Sequence, residues 1–505
     1  MSDAILGPVF AERLTTLANA LGRSLPAAEA RLTAENNLTT ANCLSTANDL
    51  AAQLAGVINC TSQPEVWLAL AVLSGRLPTE ELVTETLETA ALNPNAVFQA
   101  AAAFATPSSL SRNVRVVTDQ ILVDVAHTVT TTLTTGIQRV TRECAARWAE
   151  HPETLFIQFV YGDRSYRTLT PAEYFCLLHA ARDPELSDEI ADCDIIVPWH
   201  ASYFSPELPA DIERAPVLRG ISQCSPNFVG VIGHDAIPIT TGETTVPDMP
   251  ARFALYMGAL READLIIGTC RSSAGEFQGW RDMIRAVGIP GPEIEIVRLP
   301  VEAGAVALDT IETLRNRLTL PGIPMVLVVG SHEPRKNHLA VLFAAEALWA
   351  QGLEFSLTFI GGHSWKSEEF FAEAERLRKA GHPLELLTRV TDDLLWGAYR
   401  LARFTVFPSL NEGFGLPVAE SLAVGTPTIT SDFGSMREIA EDGGALYVDP
   451  RDDDSLIAAM RALLNDDELL TKLQTEASRR TNRTWVQFAD EIWELLKSKT
   501  YKNSN

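Results

Sequence analysis

Two successive series of strand and helix patterns, with a helical stretch ahead of them, predict an α/β protein. It has two Rossmann-like parallel-sheet domains preceded by an all-α N-terminal module. The first observation behind this is length: 505 residues, 46% of them hydrophobic, are globular in composition but too many for one ordinary core. The second is an alternation of short β-rich runs with helical stretches, which begins after Asn113 and starts afresh near Pro324. The third is the different composition of residues 1–112, rich in Ala, Leu, Thr and Glu. The resulting boundaries are 1–112 for the helical module, 113–302 and 303–480 for the sheet domains, and 481–505 for a C-terminal helix.

In the module, apolar residues recur at helical spacing over 10–21, 66–73 and 80–92, with breaks at 22–26, 75–78 and 106–111. It carries no chemical motif, which leaves assembly, docking or acceptor placement as its expected role, including self-association through its helices. The net charge of −24 argues against a nucleic-acid binder, which needs clustered Lys and Arg to neutralise phosphates. It also disfavours broad adhesion to an anionic membrane, while leaving room for peripheral contact through a local patch. The seven cysteines are dispersed without a C-x-x-C pair and read as reduced packing residues. Met1 to Ala4 lack the basic start of a secretion signal, and the most apolar short run, 66–73, is far below membrane-spanning length. A cytoplasmic location is the expectation.

The first βα series opens with a β-rich run over 114–125, a Thr-rich loop, and Gly136 at the start of a helix (Gly136-Ile137-Gln138-Arg139-Val140). Without G-x-G-x-x-G, the dinucleotide fingerprint is absent. Further strands are expected at 154–160, 194–197, 228–232, 264–267 and 294–299, in a parallel sheet whose functional residues lie at strand C-termini. His234 and Asp235 stand at one such end, in G-H-D-A-I-P; alternatively, Asp235 forms a turn with its own backbone before Pro238.

In the second series, a strand at 324–329 runs into Gly330-Ser331-His332-Glu333-Pro334-Arg335-Lys336-Asn337, and further strands are expected at 356–361 and 384–387. Two adjacent cations at a strand's C-terminal edge suit a diphosphate leaving group. The apolar run 404–407 is followed by Asn411-Glu412-Gly413-Phe414-Gly415-Leu416-Pro417-Val418-Ala419-Glu420. Pro417 near its start and Gly425 with Pro427 at its end bound a short helix over 416–424. Its N-terminus offers free N–H groups and the positive end of the dipole, and Gly413 and Gly415 admit a ligand close to the backbone. Glu412 lies in the loop and Glu420 one turn into the helix, so one acid can touch a reacting group while the other reaches a neighbouring hydroxyl. Glu420 taken alone reads equally well as an acid complementing the helix dipole.

The pattern E-G-F-G-L-P-x-x-E resembles the nucleotide-sugar motif of retaining GT-B glycosyltransferases, above all glycosyltransferase family 4 (group 1, mannosyltransferase-like). T-T-G-I-Q-R-V, H-D-A-I-P and G-S-H-E-P-R-K add to the likeness, which spans about 121–496. The resemblance implies a GT-B architecture in which the two sheet domains face a cleft and the final helix crosses back to the first. It also implies transfer of a hexose, with retention and without a metal, from a nucleoside diphosphate sugar to a glycan or glycolipid hydroxyl in polysaccharide synthesis. On this likeness Glu412 lies against the donor sugar with the N–H groups of Phe414 and Gly415, Glu420 holds the ribose, and Lys336 and the helix start at Leu416 meet the diphosphate. Gly136 admits that diphosphate from the first domain, the base packs near Thr391 with the 361–366 loop beside it, and His234 bonds the sugar. Asp235 orients the sugar or takes the acceptor's proton. Many members carry Arg directly after the glycine where this chain has Ser331, so Arg335 either supplies the second cation or points to solvent.

GDP-mannose is the favoured donor, by similarity of the E-P-R-K-N and E-G-F-G-L-P segments, and no further cofactor is expected. Asp392-Asp393 and Asp452-Asp453-Asp454 precede helices, where carboxylates cap free N–H groups, and a metal is not expected there. The alternatives are a nucleotide-sugar epimerase or phosphorylase of the same fold, or a non-catalytic nucleotide-sugar-binding or interaction module on that scaffold.

Overall fold

A computed structural model describes residues 3–25, 40–132, 136–481 and 483–503. Thr134 and Thr135, part of the T-T-G-I-Q-R-V stretch, lie outside the described residues. Among the described residues, fifteen strands form two sheets. The first contains β1 (Val114–Val117), β2 (Ile121–Asp124), β3 (Thr154–Val160), β4 (Ser165–Thr168), β5 (Ile195–Pro198), β6 (Ser202–Ser205), β7 (Phe228–Gly233), β8 (Leu265–Gly268) and β9 (Glu293–Ile296). Their order is β1-β5-β4-β3-β2-β6-β7-β8-β9.

This sheet departs from the expected all-parallel one at β4, which is antiparallel to both neighbours. A tight turn, with Gly162 at φ 82° and Arg164 at φ 48°, folds the chain back after β3 and leaves no room for a crossover helix. The single β-rich run 114–125 is in fact two strands. Asp119 at φ 54° turns the chain between them, and β1 then pairs with β5 while β2 pairs with β3 and β6.

The second sheet contains β10 (Met325–Val329), β11 (Ser356–Ile360), β12 (Leu384–Leu387), β13 (Phe404–Phe407), β14 (Thr428–Ser431) and β15 (Ala445–Val448), in the order β12-β11-β10-β13-β14-β15. All its pairings are parallel. The winding reverses between β10 and β13, and in such sheets ligands enter at the strand C-termini where the winding reverses. The two loops leaving that point carry Lys336 and Glu412.

The helical module shares a continuous core with the first sheet domain. Its helix Gln63–Ser74 is buried along Val66 to Ser74, which is why its sequence is apolar all round. The buried Arg13 guanidinium binds the module together by donating to Leu73 O at 2.8 Å, Ser109 O at 2.5 Å and Arg112 O at 2.9 Å. Contact with the sheet domain is so close that a Cβ on Gly220 would lie 2.2 Å from Pro78 O. At the other end of the chain, the helix Trp485–Asn503 lies on the first-domain helix Gly136–Trp148, where the Trp148 indole donates to Ala489 O at 3.0 Å. Phe488, Ile492 and Leu496 enter the same core.

One buried polar network stands out in the first domain. Asp124, at the end of β2, accepts from Arg214 Nη2 at 2.8 Å, Tyr166 OH at 2.9 Å and Tyr203 OH at 2.6 Å. Glu207 accepts the backbone N–H groups of His127 at 2.8 Å and Thr128 at 2.6 Å, and so holds the loop after β2. Among the described residues no helix is long and apolar enough to cross a membrane.

Candidate active site

The loop after the buried strand β13 brings Glu412 back over the end of β10. Glu412 Oε1 accepts from Lys336 Nζ at 2.6 Å and Ser409 Oγ at 2.7 Å, and Oε2 pairs with Arg335 Nη1 at 2.8 Å. Arg335 points inward rather than to solvent: it also donates to Glu333 Oε1 at 2.6 Å and Asn411 O at 2.5 Å. Burial alone would push the Glu412 carboxyl up, but the charges of Lys336 and Arg335 and the hydrogen bonds from Lys336 and Ser409 bring it to about 2. Lys336 Nζ also lies 5.0 Å from the centroid of the Phe407 ring.

Gly415, at φ 100°, is in a conformation that L side chains rarely adopt, and the helix Leu416–Ala423 begins directly after it. One turn in, buried Glu420 accepts from Tyr399 OH at 2.8 Å and from Arg139 Nη1 at 3.0 Å. Arg139 belongs to the first domain, in the helix that Gly136 opens. A Cβ on Gly136 would sit 3.6 Å from Leu416 Cδ1, so the starts of these two helices face each other across the cleft.

Gly413 has a use that its sequence context did not reveal. A Cβ there would meet His234 O at 2.7 Å and Asp235 Oδ2 at 2.8 Å, so this glycine admits the opposite domain. Asp235 Oδ1 accepts Ile237 N at 3.1 Å, and burial pushes the carboxyl up. His234 Nε2 donates to Pro206 O at 2.8 Å, and burial pushes the imidazole down to about 4, so it is neutral at neutral pH and carries its proton on Nε2. Asn411 Nδ2 reaches Thr240 Oγ1 at 3.1 Å, and Cys270 Sγ approaches Gly413 O at 3.2 Å. The Trp365 indole of the 361–366 loop donates to Thr244 O at 2.9 Å in the first domain.

The structure thus brings Glu412, Lys336, Arg335, His234 and Asp235 around one loop, with Glu420 a turn away. Thr391 caps the helix Asp392–Leu401, its hydroxyl accepting from Leu394 N at 3.4 Å. Asp452 likewise caps the helix Asp453–Asn465, accepting from Asp454 N at 3.0 Å. Sequence reasoning missed Arg139, Tyr399, Glu333, Ser409 and Asn411 as partners of these groups. Arg139 offered the one usable signal, three residues after Gly136 in a stretch already singled out.

Behind the β10 loop, His332 and His338 are buried with their Nδ1 atoms 3.1 Å apart. Burial pushes His332 down to about 4 and His338 well below its ordinary value. Both are neutral in the fold, whereas unfolded histidine takes a proton near pH 6.5. The unfolded state therefore binds more protons as pH falls from 6.5 towards 4, and stability falls with it. Melting curves should show a loss on the order of 1–2 kcal/mol per histidine between pH 7 and 5, reduced in His338→Gln.

Residues 310–480 match the family model for glycosyl transferases, group 1. The match covers β10 to β15 with every second-domain residue of the site. The serotype-specific mannosyltransferase WbdA of Escherichia coli is 24% identical over 399 residues, which are 75% of this chain and 46% of WbdA. The O-antigen chain mannosyltransferase B of Escherichia coli is 30% identical over 189 residues, 37% of this chain and 49% of that protein. The phosphatidyl-myo-inositol mannosyltransferase of Mycolicibacterium smegmatis is 34% identical over 177 residues, 34% of this chain and 45% of its own length. The chain therefore spans a little under half the length of these relatives. Among solved structures, Anabaena HepE in complex with UDP superposes with a TM-score of 0.53 at 14% identity, covering 75% of this chain and 100% of that one. The α,α-trehalose 6-phosphate synthase of Burkholderia multivorans gives 0.54 at 14% identity, covering 78% and 98%. The fold is GT-B.

Proposed function

We propose that the protein is a retaining, metal-independent hexosyltransferase that moves a sugar, mannose by preference, from a nucleoside diphosphate donor to a hydroxyl of a glycan or lipid-linked glycan. One observation carries this reading: Glu412, Lys336 and Arg335 meet at the point where the second sheet's winding reverses, beside a helix N-terminus, and opposite His234 and Asp235 of the other domain. Lys336, Arg335 and the helix N–H groups stabilise negative charge as the diphosphate leaves. Glu412 and the backbone at Phe414 and Gly415 hold the sugar, and Glu420 takes the ribose. Neutral His234 bonds the sugar through its proton-free Nδ1, and Asp235, whose burial raises its affinity for a proton, orients the sugar or, as the carboxylate, accepts the acceptor's proton. The three mannosyltransferase relatives and the E-P-R-K-N segment favour GDP-mannose and a role in surface polysaccharide assembly.

The test is transfer from GDP-mannose, UDP-glucose and ADP-glucose to a panel of mannosides in EDTA, with the product's anomeric configuration read by NMR. An α-linked product from an α-linked donor supports retention. Inversion, or a strict requirement for a divalent ion, overturns it. Gly413→Ala is expected to cut transfer by about 10²-fold, because the added methyl forces the His234–Asp235 loop away from Glu412. Steady-state rates measured beside melting curves check that the loss is not one of folding.

A further inference from the structure

Around the 411–415 loop, three cations are paired with three carboxylates, and the Asp235 carboxyl lies beside them. Arg335 and Lys336 are paired with Glu333 and Glu412, and Arg139 is paired with Glu420. The ensemble carries no net positive charge for an incoming diphosphate, even though a diphosphate site needs one. Arg335 is locked between two carboxylates and a backbone carbonyl, and Lys336 is committed to Glu412. Arg139 is the most solvent-exposed of the three, its side chain 24% exposed against 12% for Arg335 and 11% for Lys336. It is also the one cation that comes from the opposite domain.

Its position matters as much as its exposure. Arg139 lies one turn inside a helix whose first residue, Gly136, faces Leu416. A helical turn is about 5.4 Å, well within the reach of an arginine side chain from its present partner to the N-terminal N–H groups at Leu416. Ser331, directly after Gly330, has no charge to offer the same place. Glu420, for its part, is buried, with one oxygen held by Tyr399 and the other by Arg139. A ribose diol binding that carboxylate competes with these partners for its oxygens, and Arg139 is the exposed one.

We infer that Arg139 is a donor-binding residue supplied by the first domain: nucleotide entry displaces it from Glu420, and its guanidinium then takes a diphosphate oxygen as a further cation, added from the opposite side to Lys336 and Arg335, where Ser331 offers none. The exchange replaces one charge-assisted pair with two interactions, ribose on Glu420 and diphosphate on Arg139. It also makes domain closure and diphosphate binding the same event, because Arg139 stands on one domain and the helix N-terminus on the other. This inference rests on the proposed donor site and adds a specificity to it, discrimination of a diphosphate from a bare nucleoside.

The test is calorimetric binding of guanosine, GMP and GDP, with uridine, UMP and UDP in parallel, to wild type, Arg139→Ala, Arg139→Lys and Glu420→Gln in EDTA. Loss of a charge-assisted hydrogen bond predicts that Arg139→Ala weakens the diphosphate by about 10-fold or more while the nucleoside stays within about 2-fold of wild type or binds tighter. Arg139→Lys should restore part of the ratio. Glu420→Gln should weaken nucleoside and diphosphate alike, since both carry the ribose. If Arg139→Ala changes both ligands by the same factor, or neither, Arg139 is an interdomain tie only, and the inference fails while the donor site stands. If wild type binds neither series, the donor-site reading fails and takes this inference with it.

Discussion

Lys336→Ala is expected to lower the rate of sugar transfer by about 10²- to 10³-fold while leaving the protein folded. The lysine Nζ sits 2.6 Å from Glu412 at the point where the second sheet's winding reverses, beside the Leu416 helix start, where leaving-group charge would build up. That charge grows in the transition state, so the loss should fall mainly on kcat and less on the donor's KM. Truncation leaves Glu412 with Arg335 and Ser409, so its carboxylate keeps two of its three partners, and the loop also keeps the tie from Arg335 to Asn411 O. Arg335→Ala is a less clean experiment, because the same guanidinium also holds Asn411 O and Glu333. Steady-state kinetics with purified Lys336→Ala and Lys336→Arg separate charge from shape. A loss confined to KM would mean that Lys336 binds ground and transition states alike.

Arg214→Met should cost about 3–5 kcal/mol of stability, the largest effect expected away from the cleft. Arg214 is buried with Asp124, whose carboxylate it meets at 2.8 Å, and lies 3.9 Å from the equally buried Glu207. Removing the guanidinium leaves those acids with Tyr166, Tyr203 and backbone N–H groups but no cation, in a place water does not reach. Thermal melts should fall by roughly 5–10 °C, and the double change Asp124→Asn with Arg214→Met should recover part of the loss, because the two groups share one interaction. A single-variant cost under about 1 kcal/mol would show that the acids do not depend on the arginine. Glu207 gives the network a functional side, since it holds His127 and Thr128 in the loop that leads to Gly136.

Local pattern made much of this legible. The apolar runs of β10 and β13, the glycines of the 411–415 loop and the spacing of Glu412 to Glu420 each report on a few consecutive residues, and the structure sets them at one sheet edge. What stayed hidden depends on residues far apart in the chain. Arg139 meets Glu420 across 281 positions and Arg214 meets Asp124 across 90, distances at which periodicity carries no signal. Gly413 reads in sequence as room for a ligand, whereas in the fold it makes room for Asp235. β4 was missed altogether, since its four residues, Ser165 to Thr168, follow a short turn and carry no apolar run to mark a strand.

The most direct measurement of the donor site is the melting temperature of wild type and Glu420→Ala with GDP, UDP, ADP or dTDP, each with magnesium or with EDTA. A ligand at about 100 times its dissociation constant stabilises the fold by about 2.7 kcal/mol, a shift of a few degrees. A nucleotide-sugar site built as described predicts that one of these nucleotides raises wild type in EDTA and that Glu420→Ala loses the shift. A folded wild-type protein that responds to none of them, or a shift that Glu420→Ala keeps in full, would contradict it.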